Sequence, residues 1–130
     1  MAVTKNKSVK VKKKREVHSG RGYVIATFNN TLVYITDQEG NVLTWATAGG
    51  MGFKGSRKST PYAAQLAATK AANDAIAQYK LKVIDVYING AGPGRDAAGR
   101  AVGSPFKVNS VFDITGIPHN GCRPSKERRV

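Results

Sequence analysis

Two groups of residues in this 130-residue chain have types that could do chemistry. The closing stretch "IPHNGCRPSKERRV", residues 117–130, holds the only cysteine, Cys122, one of the two histidines, His119, and the pair Asn120-Gly121. A thiol and an imidazole three residues apart could form an activated nucleophile or half of a metal site. Neither chemistry is complete. A Cys-His pair needs a third group to orient the base, and tetrahedral zinc needs four donors, while the other histidine, His18, lies near the opposite end of the chain. Metal-assisted phosphodiester cleavage needs converging carboxylates. The middle of the chain offers Asp37, Glu39, Asp74, Asp85, Asp96 and Asp113, and of these Asp85 and Asp113 lie in strand-like runs where two acids could meet without a third. The residues give no reason to expect an enzyme, a cofactor or a small-molecule substrate.

The second group suits anion binding. "GGMGFKGSRKSTP" (49–61) combines glycines with Lys54, Arg57 and Lys58 just before a helix start. Free backbone N–H groups, the helix dipole and three cations all favour phosphate there. A nucleotide P-loop would place Lys-Ser/Thr after its last glycine, but Gly55 is followed by Ser56-Arg57, so the phosphate is better sought in a nucleic-acid backbone. "GAGPGRDAAGR" (90–100) follows a strand and opens a helix. Counted from Gly92 through Gly94 and Ala97, with Asp113 beyond, it satisfies the looser dinucleotide fingerprint. Pro93 inside the turn, a helix too short for a standard crossover and the lack of a second nucleotide-binding half weigh against that reading. The alternative is a turn in which Gly92 and Gly94 admit a bulky partner while Arg95 and Arg100 supply charge.

Charge separates the chain into parts. Ten of its thirteen excess positive charges lie in residues 1–21 and 122–130. Lys10, Lys12, Lys13, Lys14, Arg15 and Arg21 mark the first of these, and Arg123, Lys126, Arg128 and Arg129 the second. A run such as "KNKSVKVKKKR" cannot bury enough apolar surface to offset its ordering entropy and is suited to a polyanion. Valines 9, 11 and 17 form no useful apolar stripe, and no stretch reaches the roughly 20 apolar residues that span a bilayer, so a membrane is not the expected partner. No apolar segment follows the basic start to suggest a secretory signal, and a lone cysteine fits a reducing, cytosolic compartment. The expected division is a basic arm over 1–21, an α/β core over 22–116 and a basic tail over 117–130.

The core must hold both glycine segments in place. "YVIATF" (23–28) and "TLVYIT" (31–36) are β-branched and aromatic, and Asn29-Asn30 between them suits a two-residue hairpin turn. "DQEGN" (37–41) reverses the chain into a third strand, "VLTWATA" (42–48). Thr60 as N-cap and Pro61 in the first turn open a helix over 62–79, with an apolar stripe of Tyr62, Leu66, Thr69, Ala72, Ile76 and Tyr79. A strand over 83–88, a short helix over 95–102 and a strand over 106–114 follow, the last with Phe106, Val108, Phe112 and Ile114 on one face. The fold class is therefore α/β: a single domain with a mixed five-stranded sheet, helices packed on it, and a parallel crossover at its end.

"ITGIPHNGCRPSKERRV" (114–130), "ATFNNTLVYITDQEGNVLTWATAG" (26–49), "GFKGSRKSTPYAAQLAA" (52–68) and "GAGPGRDAAGRA" (90–101) together resemble the bacterial-type family of small-subunit ribosomal protein eleven. The resemblance covers nearly the whole chain from residue 17. It implies a ribonuclease H-like fold without catalytic acids, and a cytoplasmic protein of the ribosome that binds the central domain and 3′ region of small-subunit ribosomal RNA. It further implies a place on the subunit platform beside the mRNA exit path, near ribosomal proteins seven, eighteen and twenty-one. Carried onto this chain, RNA contacts would come from Asn29 and Asn30, from Lys54, Arg57 and Lys58, from Gly92, Gly94 and Arg95, and from His119, Asn120, Arg123, Lys126, Arg128 and Arg129. Asn120-Gly121 is open to two readings: a tight turn, which the pair favours, or a site where backbone attack converts Asn120 to isoaspartate, as the resemblance also suggests. Glycine loops and basic arms without a base-reading helix favour RNA over duplex DNA, with a DNA-binding architectural protein as the rival.

Overall fold

A computed structural model describes residues 16–130. Five strands, β1 (Ser19–Ala26), β2 (Thr31–Asp37), β3 (Val42–Thr47), β4 (Val83–Asn89) and β5 (Lys107–Asp113), form one sheet in the order β3-β2-β1-β4-β5. The first three make an antiparallel meander, whereas β4 runs parallel to β1 and β5 parallel to β4. This is the mixed sheet expected from the order of elements, and it has the ribonuclease H-like arrangement. Helix α1 (Pro61–Tyr79) packs on β2 and β3, α2 (Arg95–Gly103) on β1 and β4, and the two helices pack on each other, so both cover the same face.

β1 starts earlier than the apolar alternation suggests, and Val17 already packs against the core. The inward positions at this end of β1 are Gly20 and Gly22, which supply no apolar side chain to reveal a strand. Arg21, read above as part of the basic arm, thus lies in the sheet opposite Thr36 and Asp85.

Helix α1 turns a different face inward from the one its larger residues mark. Ala63, Ala64, Ala67, Ala68, Ala71, Ala72 and Ala75 are buried, while Tyr62 is 62% exposed and Ile76 37% exposed. Methyl-sized side chains let the helix axis come close to Val33, Ile35 and Ala46 of the sheet and to Ala98 and Val102 of α2. Buried Thr44 is satisfied within this contact, its hydroxyl donating to the Ala71 carbonyl at 3.0 Å. Thr60 caps α1 as expected, its Oγ1 accepting from Ala63 N at 3.3 Å, with Pro61 next. The helix ends at Lys80, which adopts φ 54°. A non-glycine residue in that region costs about 1–2 kcal/mol, whereas the Lys80–Glu16 ion pair, about two-thirds exposed on both sides, adds little. Lys80→Gly is therefore expected to stabilise the fold by up to ~1 kcal/mol, seen as a higher urea midpoint with an unchanged slope.

On β5 the predicted single face is broken by a bulge. Ile84 pairs with Val108 but Asp85 pairs with Ser110, so Asn109 is the extra residue and the alternation flips beyond it. Phe106 and Val108 lie toward the helices, and Phe112 lies on the opposite side, stacked on Tyr87.

Candidate nucleic-acid interface

The hairpin, both glycine segments, the starts of both helices and the root of the tail meet at one end of the sheet. β1, β3, β4 and β5 finish there and β2 begins there, as the pairs Ala26–Thr31, Leu32–Thr47, Ile25–Asn89 and Ile88–Asp113 show.

The β1–β2 hairpin is tipped by Phe28-Asn29, one residue before the predicted Asn29-Asn30 turn. Thr27 N donates to Asn30 O at 2.9 Å, Thr27 Oγ1 accepts from Asn30 N at 3.0 Å, and Asn30 Oδ1 accepts from Thr31 N at 2.9 Å. These side-chain bonds replace the left-handed residues of a tight two-residue turn. Asn30 is thereby engaged within the chain, Asn29 is exposed, and Phe28, which the sequence hides inside an apolar run, stands 77% exposed at the tip.

Between β3 and α1, residues Gly49–Met51 and Gly55–Ser59 form two 3₁₀ turns. Phe53 meets Tyr62 edge to face, with ring centroids 6.0 Å apart, which ties this segment to the first turn of α1. Lys54 and Arg57 are exposed and Lys58 half-buried, and none of the three has an ion-pair partner among the described residues. Three uncommitted cations thus stand beside the positive end of a 19-residue helix.

The second glycine segment works differently from its prediction. Gly92 and Gly94 are buried, and a Cβ at either would run into Thr27, or into Thr31 and Ala64. The glycines admit the protein's own hairpin and helix. Arg95 is likewise turned inward. Its Nη1 donates to Gly90 O at 2.9 Å and to Thr115 Oγ1 at 3.3 Å, and its Nη2 donates to Asp113. Gly90 N donates to Thr115 Oγ1 at 3.0 Å, and Thr115 N and Oγ1 both donate to Asp113 Oδ1. Arg95 therefore fastens the root of the tail to the loop instead of standing free for phosphate. Arg100 lies in the last turn of α2, away from this end, and Arg21 lies near the opposite end of β1. Asp85 and Asp113 do not converge, since the strand alternation puts them on opposite faces.

Arg95, and then Thr115, hold the Asp113 carboxyl well below the usual carboxylate range. A lowered folded value means that the clamp is fully present above the ordinary carboxyl pKa of about 4 and fails only as pH falls through the lower folded value. Asp113→Asn is expected to speed amide hydrogen exchange at Gly90 and Thr115 already at pH 7. In the unaltered chain, protection at these amides should hold from pH 7 to pH 5.

Beyond Thr115 the tail runs exposed, with His119, Asn120, Arg123, Lys126, Arg128 and Arg129 all accessible and Asn120 at φ 58°. Cys122 is free and exposed. Among the described residues no three His, Cys, Asp or Glu side chains are placed to hold a metal, and no helix is long and apolar enough to cross a membrane. Lys10, Lys12, Lys13, Lys14 and Arg15 lie outside the described residues.

One end of the fold therefore presents loop cations, a helix start and a basic tail. A profile of the family described as ribosomal protein S11 matches residues 20–129, which includes every element of this end. The chain belongs to the ribosomal protein S11 family. Relatives include small ribosomal subunit protein uS11 of Psychromonas ingrahamii, 56% identical over 90% of this chain and 91% of the relative. The uS11 proteins of Pseudoalteromonas atlantica (52% identical, covering all of both chains) and Acinetobacter baumannii (55% identical over 95% of this chain and 98% of the relative) are similar over essentially the full length. The family match takes in the clamp residues Gly90, Arg95, Asp113 and Thr115, which the sequence alone does not single out as a unit.

Proposed function

We propose that this protein is a structural, non-enzymatic constituent of the small ribosomal subunit, acting in the cytoplasm by binding small-subunit ribosomal RNA. The observation that carries the reading is the convergence of Lys54, Arg57 and Lys58, the start of α1 and the clamped basic tail on one end of the sheet. The folded core fixes the spacing of the cations, and neutralised phosphates release counterions and supply the affinity. In its finer form the proposal places the chain on the platform, against the central domain and 3′ region of the RNA. There it lies beside the mRNA exit path and ribosomal proteins seven, eighteen and twenty-one. The contacting residues are Asn29, Lys54, Arg57, Lys58, His119, Asn120, Arg123, Lys126, Arg128 and Arg129, joined by Lys10, Lys12, Lys13, Lys14 and Arg15. Crosslinking in cells followed by sequencing of bound RNA tests this directly: reads should concentrate in those regions of small-subunit RNA, and an even spread over cellular RNA overturns the proposal.

Asn120 carries a proposed modification. It is exposed, in the left-handed region, and followed by a glycine with no side chain to shield the peptide nitrogen. Isoaspartyl-methyltransferase labelling with peptide mapping should place label at Asn120 in protein from ribosomes, and Gly121→Ala should reduce it severalfold.

A further inference from the structure

The face of the sheet that the helices leave open carries a line of aromatic rings, one on each strand. In register across β3, β2, β1, β4 and β5 they are Trp45, Tyr34, Tyr23, Tyr87 and Phe112. Tyr34 and Tyr23 stack at 4.9 Å between centroids, Tyr23 and Tyr87 at 5.1 Å, and Tyr87 and Phe112 at 5.1 Å, with interplanar angles of 12°, 17° and 25°. Trp45 is 68% exposed and Val42 beside it 56% exposed, with Leu32 and Phe112 also open to solvent. A contiguous apolar patch of this kind on a small domain marks a place where something docks.

Its chemistry selects the occupant. The charged side chains of this face are Arg21, Asp85 and, at the rim, Lys107, two cations and one acid on a chain of net charge +13. Arg21 lies within the face opposite Asp85, its guanidinium carbon 6.0 Å from the Tyr87 centroid and its Nε buried beneath the surface. Phosphate therefore finds little to bind here. Base stacking on the middle of the face is also disfavoured, because Tyr23 and Tyr87 each lie between two stacked neighbours. A second copy of the chain would bring another +13 against the first. A protein surface with an apolar centre, without excess positive charge and with carbonyls to receive tyrosine hydroxyls, meets all of these conditions.

Resting on the reading of the chain as a small-subunit component, we infer that the aromatic face of the sheet docks another small-subunit protein, while RNA binds the loop-and-tail end. The division puts a dry, aromatic interface and a cationic one on different surfaces of one small domain. Trp45 is the exposed anchor of the dry interface, since tryptophan buried at an interface centre commonly dominates its energy.

Trp45 is also the only tryptophan, which makes the full chain its own probe. Acrylamide quenching of its emission should be unchanged when a transcribed central-domain RNA fragment binds, and strong shielding by RNA alone overturns the inference. A photoreactive benzophenone residue replacing Trp45, in chain incorporated into small subunits, should form an adduct with one small-subunit protein identified by peptide mass. An RNA adduct, an adduct with a second copy, or none overturns it. The same photoreactive residue at position 57 should label ribosomal RNA, so failure of the RNA-binding reading is seen separately. Trp45→Arg should leave affinity for the RNA fragment unchanged and lower the protein partner's occupancy in the subunit at least tenfold; unchanged occupancy counts against the inference.

Discussion

Alanine at position 90 is expected to lower the thermal midpoint of this protein by roughly 10–20 °C, through a loss of about 3 kcal/mol. Gly90 adopts φ +97° and lies against Ala26, so a Cβ there would be driven into the Ala26 carbonyl oxygen. Two costs combine. The left-handed backbone penalises any residue with a Cβ, and the neighbour that must move is main chain at the end of β1, which cannot yield as a side-chain tip would. The damage should spread, because Gly90 also donates its N–H to Thr115 and lends its carbonyl to Arg95. A control separates this from a general dislike of alanine in loops. Nothing lies within 4 Å of a Cβ built on Gly116, and its φ is unremarkable, so Gly116→Ala should stay within about 0.5 kcal/mol of the parent. Circular dichroism melts of both variants decide it, and a Gly90→Ala variant that melts with the parent removes the close approach as the reason for glycine.

The order of elements can be read from the sequence because each run has its own signal: β-branched alternation for β1 to β4, and capping plus alanine for α1. What was misread follows from signals carried by side chains that are absent or small. Glycines fill the inward positions at the start of β1, so the strand is longer than its apolar pattern. The buried stripe of α1 is alanine, and alanine is nearly invisible to a search for large apolar residues at helical spacing. A one-residue bulge in β5 reverses which face Phe112 occupies, and no local residue type announces it. The same flip completes the aromatic line on the open face, which becomes visible only once the strand order and register are known.

The candidate site divides in the same way. Lys54, Arg57 and Lys58 are legible as cations before a helix, since sequence neighbours determine that arrangement. Arg95 is not, because its partners Asp113 and Thr115 are 18 and 20 residues away and reach it only through the parallel pairing of β4 and β5. The sequence reads a basic residue beside glycines as a phosphate contact, whereas the fold uses it to anchor the basic tail.

That distinction sets the second large effect. Replacing Lys54, Arg57 and Lys58 together by alanine is expected to weaken binding to small-subunit RNA roughly a hundredfold at about 0.1 M salt, since each lost phosphate contact returns some 0.7–0.9 counterions. The slope of log affinity against log salt should become shallower by roughly 2 to 3, while the melting temperature changes little, because none of the three side chains has an ion-pair partner among the described residues. Alanine at Lys80 and Lys82, at the opposite end of the fold, should leave the slope nearly unchanged. Arg95→Ala should behave in a third way. It frees the tail without removing a phosphate contact, so affinity falls through the entropy of an unanchored segment while the salt slope stays close to that of the parent. Slope changes in proportion to the charges removed, three to two to one across the three variants, would mean that charge acts only through the net total, and that the arrangement of cations at the loop-and-tail end has no part in recognition.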